Sequence, residues 1–373
     1  MLCNYLKASA MQISVLMMLR PLISFLSFYW GTFIHEDPKS LRFNLMCAHA
    51  LSLTPFLFVP LFPNIGYLIF SSAIFTLFYR AEAPALIEII RRNLDKKSRE
   101  SSFSFASTAG YIEGIGLAFF TGWIVENMAS GWIYLFPAYA LIGLVGLIFQ
   151  SRLEINPLER TEEGSKKRFS FLEPIRTGWD LLKNNRQFVR FQLGYFLCGG
   201  GLMLAMPAIA VLLTNLGFKF TTLFTSNCAI KEVGMILATP LWGFFMKKYR
   251  YELLSGVVFI FVTFFLGLLF FLKWGVLFLF GAYFVYGIAQ AGSHLLWNLS
   301  GPYFSQEGDS SRYTMVNVFM VGLRGLVMPL LGGLLTELFE PNVAIFYGMV
   351  LSIAGSLVML RPQTVQTDQK ALS

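Results

Sequence analysis

Residues 220–250 read FTTLFTSNCAIKEVGMILATPLWGFFMKKYR. The segment is long enough to cross a bilayer as a helix, which takes roughly 20 residues for about 30 Å of hydrocarbon. Lys231 and Glu232 lie near its middle, where an ionised side chain costs several kcal/mol. The apolar part ends at Trp242-Gly243 and is followed by a basic cluster. A segment that tolerates two central charges is expected to face protein or water rather than lipid.

The composition of the whole chain supports a membrane location for this segment. Of the 373 residues, 55% are hydrophobic and only 13% are charged, whereas soluble domains have about 25% charged residues. The net charge of +8 comes from basic residues in short loops beside apolar spans, as the positive-inside rule predicts, so we expect a lipid bilayer and no nucleic acid as partner. The cysteines and histidines show no metal-ligand spacing, and we expect no metal and no cofactor.

The apolar segments predict an all-α, polytopic membrane protein with about eleven transmembrane helices. We assign residues 1–151 to an N-terminal bundle of about five spans and residues 188–361 to a C-terminal bundle of about six. Between them, 152–187 forms a cytoplasmic linker whose second part has the spacing of an interfacial amphipathic helix. Residues 362–373 form a cytoplasmic tail, because most basic loops lie on that side.

The two halves repeat each other at a shift of about 212 residues. Trp30-Gly31 falls on Trp242-Gly243, and Glu126 falls on Glu337. Each Trp-Gly pair leads into a basic cytoplasmic loop, so both halves run in the same direction. Two parallel halves joined by a long cytoplasmic loop are characteristic of major facilitator transporters.

On this repeat, and on the pattern Leu6-x-Ala8-Ser9-x-x-Gln12-Ile13, the chain resembles the major facilitator superfamily. The resemblance implies two six-helix bundles around a central cavity. It matches the first span here to family helix 2, and we expect family helix 1 to be absent. It also implies gating loops at Trp30-Gly31 and Trp242-Gly243. Both loops depart from the family signature, because His35 and Lys247 stand at its acidic position.

The charged residues inside the spans are the strongest functional signal. By the resemblance they lie on the helices that line the cavity, and they are joined by polar residues of one notably polar helix. We therefore predict a substrate or proton pathway from these side chains, which are Arg20, Arg80, Glu82, Glu113, Lys231, Glu232, Gln290, His294, Asn298 and Arg324.

The repeat places opposite charges at equivalent positions of this set. It matches Arg20 with Glu232, Glu82 with His294, and Glu113 with Arg324. Such pairs could form across the central interface and break as the halves rock. Three plainer readings stay open. Arg20 and Glu232 would form a permanent structural bridge, Arg80 would snorkel to the headgroups, and His294 would be a packing residue.

The function predicted is secondary active transport of a small polar solute by alternating access. The buried basic residues favour an anionic or zwitterionic solute, and the carboxylates allow proton coupling, that is, symport. Alternatives are efflux of amphipathic compounds and a non-transporting, truncated paralogue acting as a sensor or assembly factor. We predict no enzyme activity, because no catalytic or ATP-binding motif is present. The Phe-rich spans and short loops favour a bacterial inner membrane.

Overall fold

The structure is a computed structural model, which describes residues 5–30, 38–93, 113–114, 116–117, 119–128, 130–153, 155–156, 173–305 and 310–361. The regular structure of these residues is helical, which confirms the all-α prediction. The N-terminal half comprises α1 (Ala10–Trp30), α2 (Pro38–Leu57), α3 (Ile65–Asn93), α4 (residues 119–127) and α5 (Gly131–Ser151).

The second half begins with a short helix and continues with long ones. They are α6 (Glu173–Asn184), α7 (Arg186–Asn215), α8 (Phe220–Met246), α9 (Tyr251–Leu268), α10 (Val276–Ser305), α11 (Ser310–Leu338) and α12 (Pro341–Leu360). Within the described residues, 7 helices are long and apolar enough to cross a membrane, and shorter apolar helices lie at Ala10–Ile23 and Ile65–Tyr79.

The ends of these helices follow from local chemistry. Asn185 caps α7, because its side chain accepts a hydrogen bond from the backbone N–H of Phe188 at 2.9 Å. Pro341 begins α12, where the missing N–H is one that the helix could not use. Gly275 separates α9 from α10 with φ of 140°, a conformation that only glycine adopts readily.

The C-terminal helices form a closely packed bundle. Helix α7 packs on α11 and α12, and α10 packs on α8 and α9. Its core is aromatic, with Phe188, Phe191 and Phe259 almost fully buried. In the N-terminal half α2 packs on α3 and α5, and α1 packs on α3.

Helix α1 also joins the two halves, because it packs along α11 and contacts α7. A β-carbon at Gly333 of α11 would lie 2.2 Å from Oγ of Ser14, so α1 and α11 approach each other more closely than any larger residue would allow. Helix α6 lies in the segment for which the sequence predicts an interfacial helix. Its Gly178 packs against Val316 of α11, and its Trp179 is exposed.

Candidate functional site at α8, α10 and α11

Lys231 and Glu232 form an ion pair in the middle of α8. Lys231 Nζ lies 3.1 Å from Glu232 Oε1, and both side chains are about a quarter exposed, at 22% and 24%. The residues just before them, Thr225–Ile230, form a π-helical turn inside the α-helix. Such turns occur frequently at functional sites, because the extra residue turns the following side chains to a new direction.

Helix α10 lies directly against this pair. A β-carbon at Gly287 would come within 2.0 Å of the carbonyl oxygen of Lys231, so the two backbones touch only because residue 287 is glycine. One helical turn later Gln290 donates a hydrogen bond to the hydroxyl of Tyr286 at 2.5 Å. His294, one turn further on, interacts electrostatically with Glu232 and Lys231. The structure therefore brings the predicted residues Lys231, Glu232 and His294 into one cluster.

Arg324 lies deeper in the C-terminal bundle. Its side chain is buried, with 7% of the residue exposed. Its Nη1 donates to the backbone carbonyl of Tyr195 on α7, and its Cζ lies 5.5 Å above the Trp297 ring of α10. Within the described part of the chain, no carboxylate lies within ion-pair distance of this guanidinium, and its Nε has no hydrogen-bond partner. Arg324 is therefore a buried cation held by a carbonyl and an aromatic face.

The other predicted residues occupy more varied places. Arg20 lies on α1 and Asn298 on α10, and both residues are exposed, as is Glu113. Arg80 and Glu82 lie in α3, and their side chains fall outside the described part, which leaves the pairing of Glu82 with His294 a prediction. The described ion pair of Glu232 is with Lys231, and the described contacts of Arg324 lie within its own bundle rather than with Glu113.

Those residues of the two tryptophan-glycine pairs that the structure describes lie in helices, not in loops. Trp30 is the last residue of α1, and Gly31 falls outside the described residues. The gating-loop prediction is corrected for Trp242 and Gly243, which lie inside α8 before its end at Met246. Trp242 is buried, and its Nε1 donates to the carbonyl of Ile288 on α10 at 2.9 Å. Its apolar ring is stabilised by helix packing, which a polar loop would not provide.

A carboxylate of the C-terminal half binds the N-terminus of α1. Glu337, near the end of α11, accepts a hydrogen bond from the backbone N–H of Met11 through its Oε1, at 3.0 Å. Met11 is the second residue of α1, so this N–H has no partner within the helix. A negative charge at this position is also stabilised by the helix dipole.

The equivalent carboxylate of the N-terminal half makes the same kind of contact with a helix of the C-terminal half. Glu126, near the end of α4, accepts hydrogen bonds from Thr221 at the start of α8, from Oγ1 at 2.7 Å and from the backbone N–H at 3.4 Å. Lys219 Nζ lies 3.6 Å from its other oxygen. The hydrogen bond from Thr221 is the main cause that holds the pKa of Glu126 below its ordinary value.

These two glutamates were not among the predicted site residues. The signal that identifies them is their equivalence in the internal repeat, where Glu126 falls on Glu337. Each lies at the C-terminal end of one helix and binds the N-terminal end of a helix in the other half. We call this pair of contacts the carboxylate gate. It lies at the ends of the helices opposite the basic loops.

Comparison with solved structures finds transporters with a similar fold. The nucleoside transporter NupG superposes with a TM-score of 0.72 at 12% identity, covering 97% of this chain and 93% of that chain. A POT family transporter in complex with a thioalcohol-conjugated peptide gives 0.71 at 14% identity, covering 95% and 88%. A bacterial homolog of the human lysosomal transporter Spinster, in an inward-facing and unoccupied conformation, gives 0.66 at 14% identity, covering 96% and 87%.

At these identities the structures establish the fold. A search of curated proteins found no significant match to the sequence. The family model described as Major Facilitator Superfamily matches residues 2–324, which is most of the chain. With the helical bundles and the repeat, this match identifies the chain as a member of the major facilitator superfamily of transporters.

Proposed function

We propose that the chain moves a small polar solute across the membrane by alternating access of its two bundles. The observation that carries this proposal is the carboxylate gate. Two equivalent glutamates hold opposite bundles together through hydrogen bonds that are partly exposed to water. Contacts of this kind are weak enough to break in each transport cycle, whereas a continuous apolar interface would be too stable to separate so readily.

The solute is anionic or zwitterionic in this proposal, and the cluster on α8 and α10 binds it. Lys231 supplies a cation and Glu232 the carboxylate paired with it on α8, while His294 and Asn298 add hydrogen-bonding groups from α10. A solute with both charges can replace the Lys231–Glu232 contact group by group. The exchange therefore leaves neither charge unpaired in a medium of low dielectric constant.

Arg324 contributes as a positioning residue. Its guanidinium lies behind the Trp297 ring and fixes that ring through a cation–π contact. Trp297 also packs on Phe191 and Tyr195, and it is only partly buried, so the exposed part of its ring offers an apolar surface to a solute.

Coupling to protons completes the proposal, with Glu232 and His294 as the groups that exchange the proton. The gate glutamates are unsuited to this role. Glu126 has a lowered pKa and stays ionised at ordinary pH. The chain's similarity in fold to a nucleoside transporter and to a POT family transporter in complex with a thioalcohol-conjugated peptide supports a small polar solute. We place the protein in a bacterial inner membrane, in keeping with its short connections opposite the basic loops.

The experiment is a proteoliposome uptake screen with nucleosides, dipeptides, amino acids and organic acids, with and without a pH gradient. We expect one of these classes to accumulate, and we expect a pH gradient with the more acidic side outside the liposomes to increase its uptake. Glu232→Gln should abolish the effect of the gradient. Glu340→Gln is the matched control, because Glu340 is exposed at the start of α12, away from the cluster.

The screen also decides between the alternatives. Uptake that is unaffected by the gradient and by Glu232→Gln would refute proton coupling through this cluster. Export of amphipathic dyes in place of uptake would favour the efflux function. No movement of any solute by protein that remains folded in the liposomes would favour a sensor or assembly role.

A further inference from the structure

The ends of α8 and α9 next to the basic loops enclose a groove that the transport site does not use. The groove has a volume of about 440 Å³ and lies between α8, α9 and α10. Its lining is apolar and includes Leu237, Leu241, Phe245, Val257 and Phe261. Helices α8 and α9 make few contacts with each other here, although they follow one another in the chain.

Trp242 keeps this groove open. Its ring fills the space between α8 and α10, where Nε1 donates to the carbonyl of Ile288 at 2.9 Å, and it meets Phe261 of α9 edge to face at 6.2 Å between ring centroids. The bulky ring prevents α9 from closing onto α8. The groove is thus a consequence of a fixed, buried side chain rather than of loose packing.

A basic cleft adjoins the groove at its cytoplasmic end. The cleft has a volume of about 110 Å³ and includes Arg190, Arg250, Arg361 and Glu252 in its lining. Three guanidinium groups against one carboxylate leave a net charge of two positive units. Leu253 of α9 lines both cavities, so the cleft and the groove meet at this residue.

The guanidinium of Arg190 is held firmly in this cleft. Its Nε donates to the carbonyl of Val358 and its Nη2 to that of Met359, each at 2.6 Å. These carbonyls belong to the last turn of α12, whose C-terminal end favours a cation. Lys248 adds a further positive charge near the groove, 4.2 Å above the ring of Phe244.

We propose that this composite site binds an anionic phospholipid of the leaflet beside the basic loops. The phosphate lies in the basic cleft, and one acyl chain lies in the apolar groove. From Phe245 to Gly234 the groove follows α8 for eleven residues, which is about 16 Å at 1.5 Å per residue. One leaflet contributes about 15 Å of hydrocarbon, so the groove accommodates a full acyl chain.

The charge of the cleft selects the headgroup. A phosphatidylglycerol phosphate meets a net positive cleft, whereas phosphatidylcholine brings its own cation, which the arginines repel. An arginine near an anionic surface contributes about 1 kcal/mol, or about fivefold in affinity. Because the site lies outside the transport cluster, the proposal is independent of which solute the protein moves.

The test measures thermal unfolding and native mass spectra of the purified full chain with added phosphatidylglycerol, phosphatidylcholine, phosphatidylethanolamine or inorganic phosphate. We expect phosphatidylglycerol to bind at least tenfold more tightly than phosphatidylcholine. The double variant Arg250→Gln with Arg361→Gln should lose most of this preference. Lys273→Gln is the matched control, because Lys273 lies in the 3-10 turn Leu269–Trp274, which follows the opposite end of α9.

A second variant tests the groove by itself. Leu241→Trp places a ring on an exposed groove residue without touching the cleft, and it should weaken phosphatidylglycerol binding while leaving the unfolding temperature in detergent unchanged. Equal binding of all the lipids would overturn the proposal. Binding of inorganic phosphate as tight as that of the lipid would assign the cleft to a free anion. Unchanged lipid binding in both variants would refute the site.

Discussion

Replacing Arg324 with methionine separates the stability of the bundle from its activity. The guanidinium is buried, and within the described residues it has no carboxylate partner. Burying an ion costs several kcal/mol. The opposing contributions are a hydrogen bond to the Tyr195 carbonyl, about 1.5–3 kcal/mol, and a cation–π contact with Trp297, about 2 kcal/mol. Replacing a buried ion pair by apolar residues is often neutral or stabilises by about 1–4 kcal/mol, and the same desolvation cost applies to this single cation.

We therefore expect Arg324→Met to unfold at the same temperature as the wild type or a few degrees above it, at about 2–4 °C per kcal/mol. Its transport should fall by at least about tenfold, because the Trp297 ring loses the cation that fixes it. The assay is thermal unfolding in detergent at a fixed scan rate, paired with uptake measured over a range of solute concentrations. Leu323→Met is the control, because Leu323 is the exposed neighbour of Arg324 on the same helix.

The combination of results distinguishes a positioning role from a structural one. A variant that unfolds several degrees earlier would show that the guanidinium stabilises the bundle, and the electrostatic argument would then be wrong. Normal transport by a stable variant would remove Arg324 from the site. Arg324→Lys should restore part of the transport with a raised KM, since an ammonium keeps the charge but is a smaller partner for the ring.

Three further predictions concern the carboxylate gate. Glu337→Gln should shift the bundles toward the separated state by about twofold to fivefold, since a charge at an exposed helix N-terminus contributes about 0.3–1 kcal/mol, and spin-label distances between the ends of α1 and α11 would show it. Because the hydrogen bond from Thr221 lowers the pKa of Glu126, the closed gate is stabilised above the ordinary carboxyl pKa of about 4.3 and weakens only as the pH falls through the lowered value. The same distances between α4 and α8 should therefore be constant from about pH 5.5 to pH 8, and a change within that range would contradict the assignment. Gly333→Leu should prevent closure, because even a β-carbon there lies 2.2 Å from Oγ of Ser14; Leu331→Ile, on an exposed position of the same helix, is its control.

The sequence predicted the fold well because hydrophobicity and loop charge act over whole helices. A run of about twenty apolar residues in lipid must form a helix, because the backbone hydrogen bonds are then satisfied within the segment itself. The stretch around Lys231 and Glu232 shows the same logic at the level of a site, since two charges in a span indicate a functional position. The structure places the backbone of Lys231 against Gly287 of α10, and His294 of the same helix interacts electrostatically with both charges.

The partners of single side chains could not be obtained in this way. The repeat matched Glu113 with Arg324, yet the described contacts of Arg324 are with Tyr195 and Trp297. Equivalence in a repeat fixes depth and helix number, but it does not fix the rotation of a helix about its axis. A π-helical turn such as Thr225–Ile230 changes that rotation by inserting one residue. No pattern in the sequence predicted this turn. Trp242 was assigned to a loop for a related reason, because composition marks the membrane boundary but not the last helical turn.

The carboxylate gate shows what the repeat does determine. The length of a helix alone determines where its first and last residues lie. Rotation of the helix matters less at its N-terminus, because the free N–H groups there point along the axis. Glu126 and Glu337 could therefore be matched from the sequence, and both make the same contact in the structure. Their contacts run in opposite directions between the halves, so under the proposed mechanism we expect the bundles to release both contacts together. A double Glu126→Gln, Glu337→Gln variant should then open more than the two single variants combined. Additive opening in the same spin-label measurement would show that the two contacts act independently.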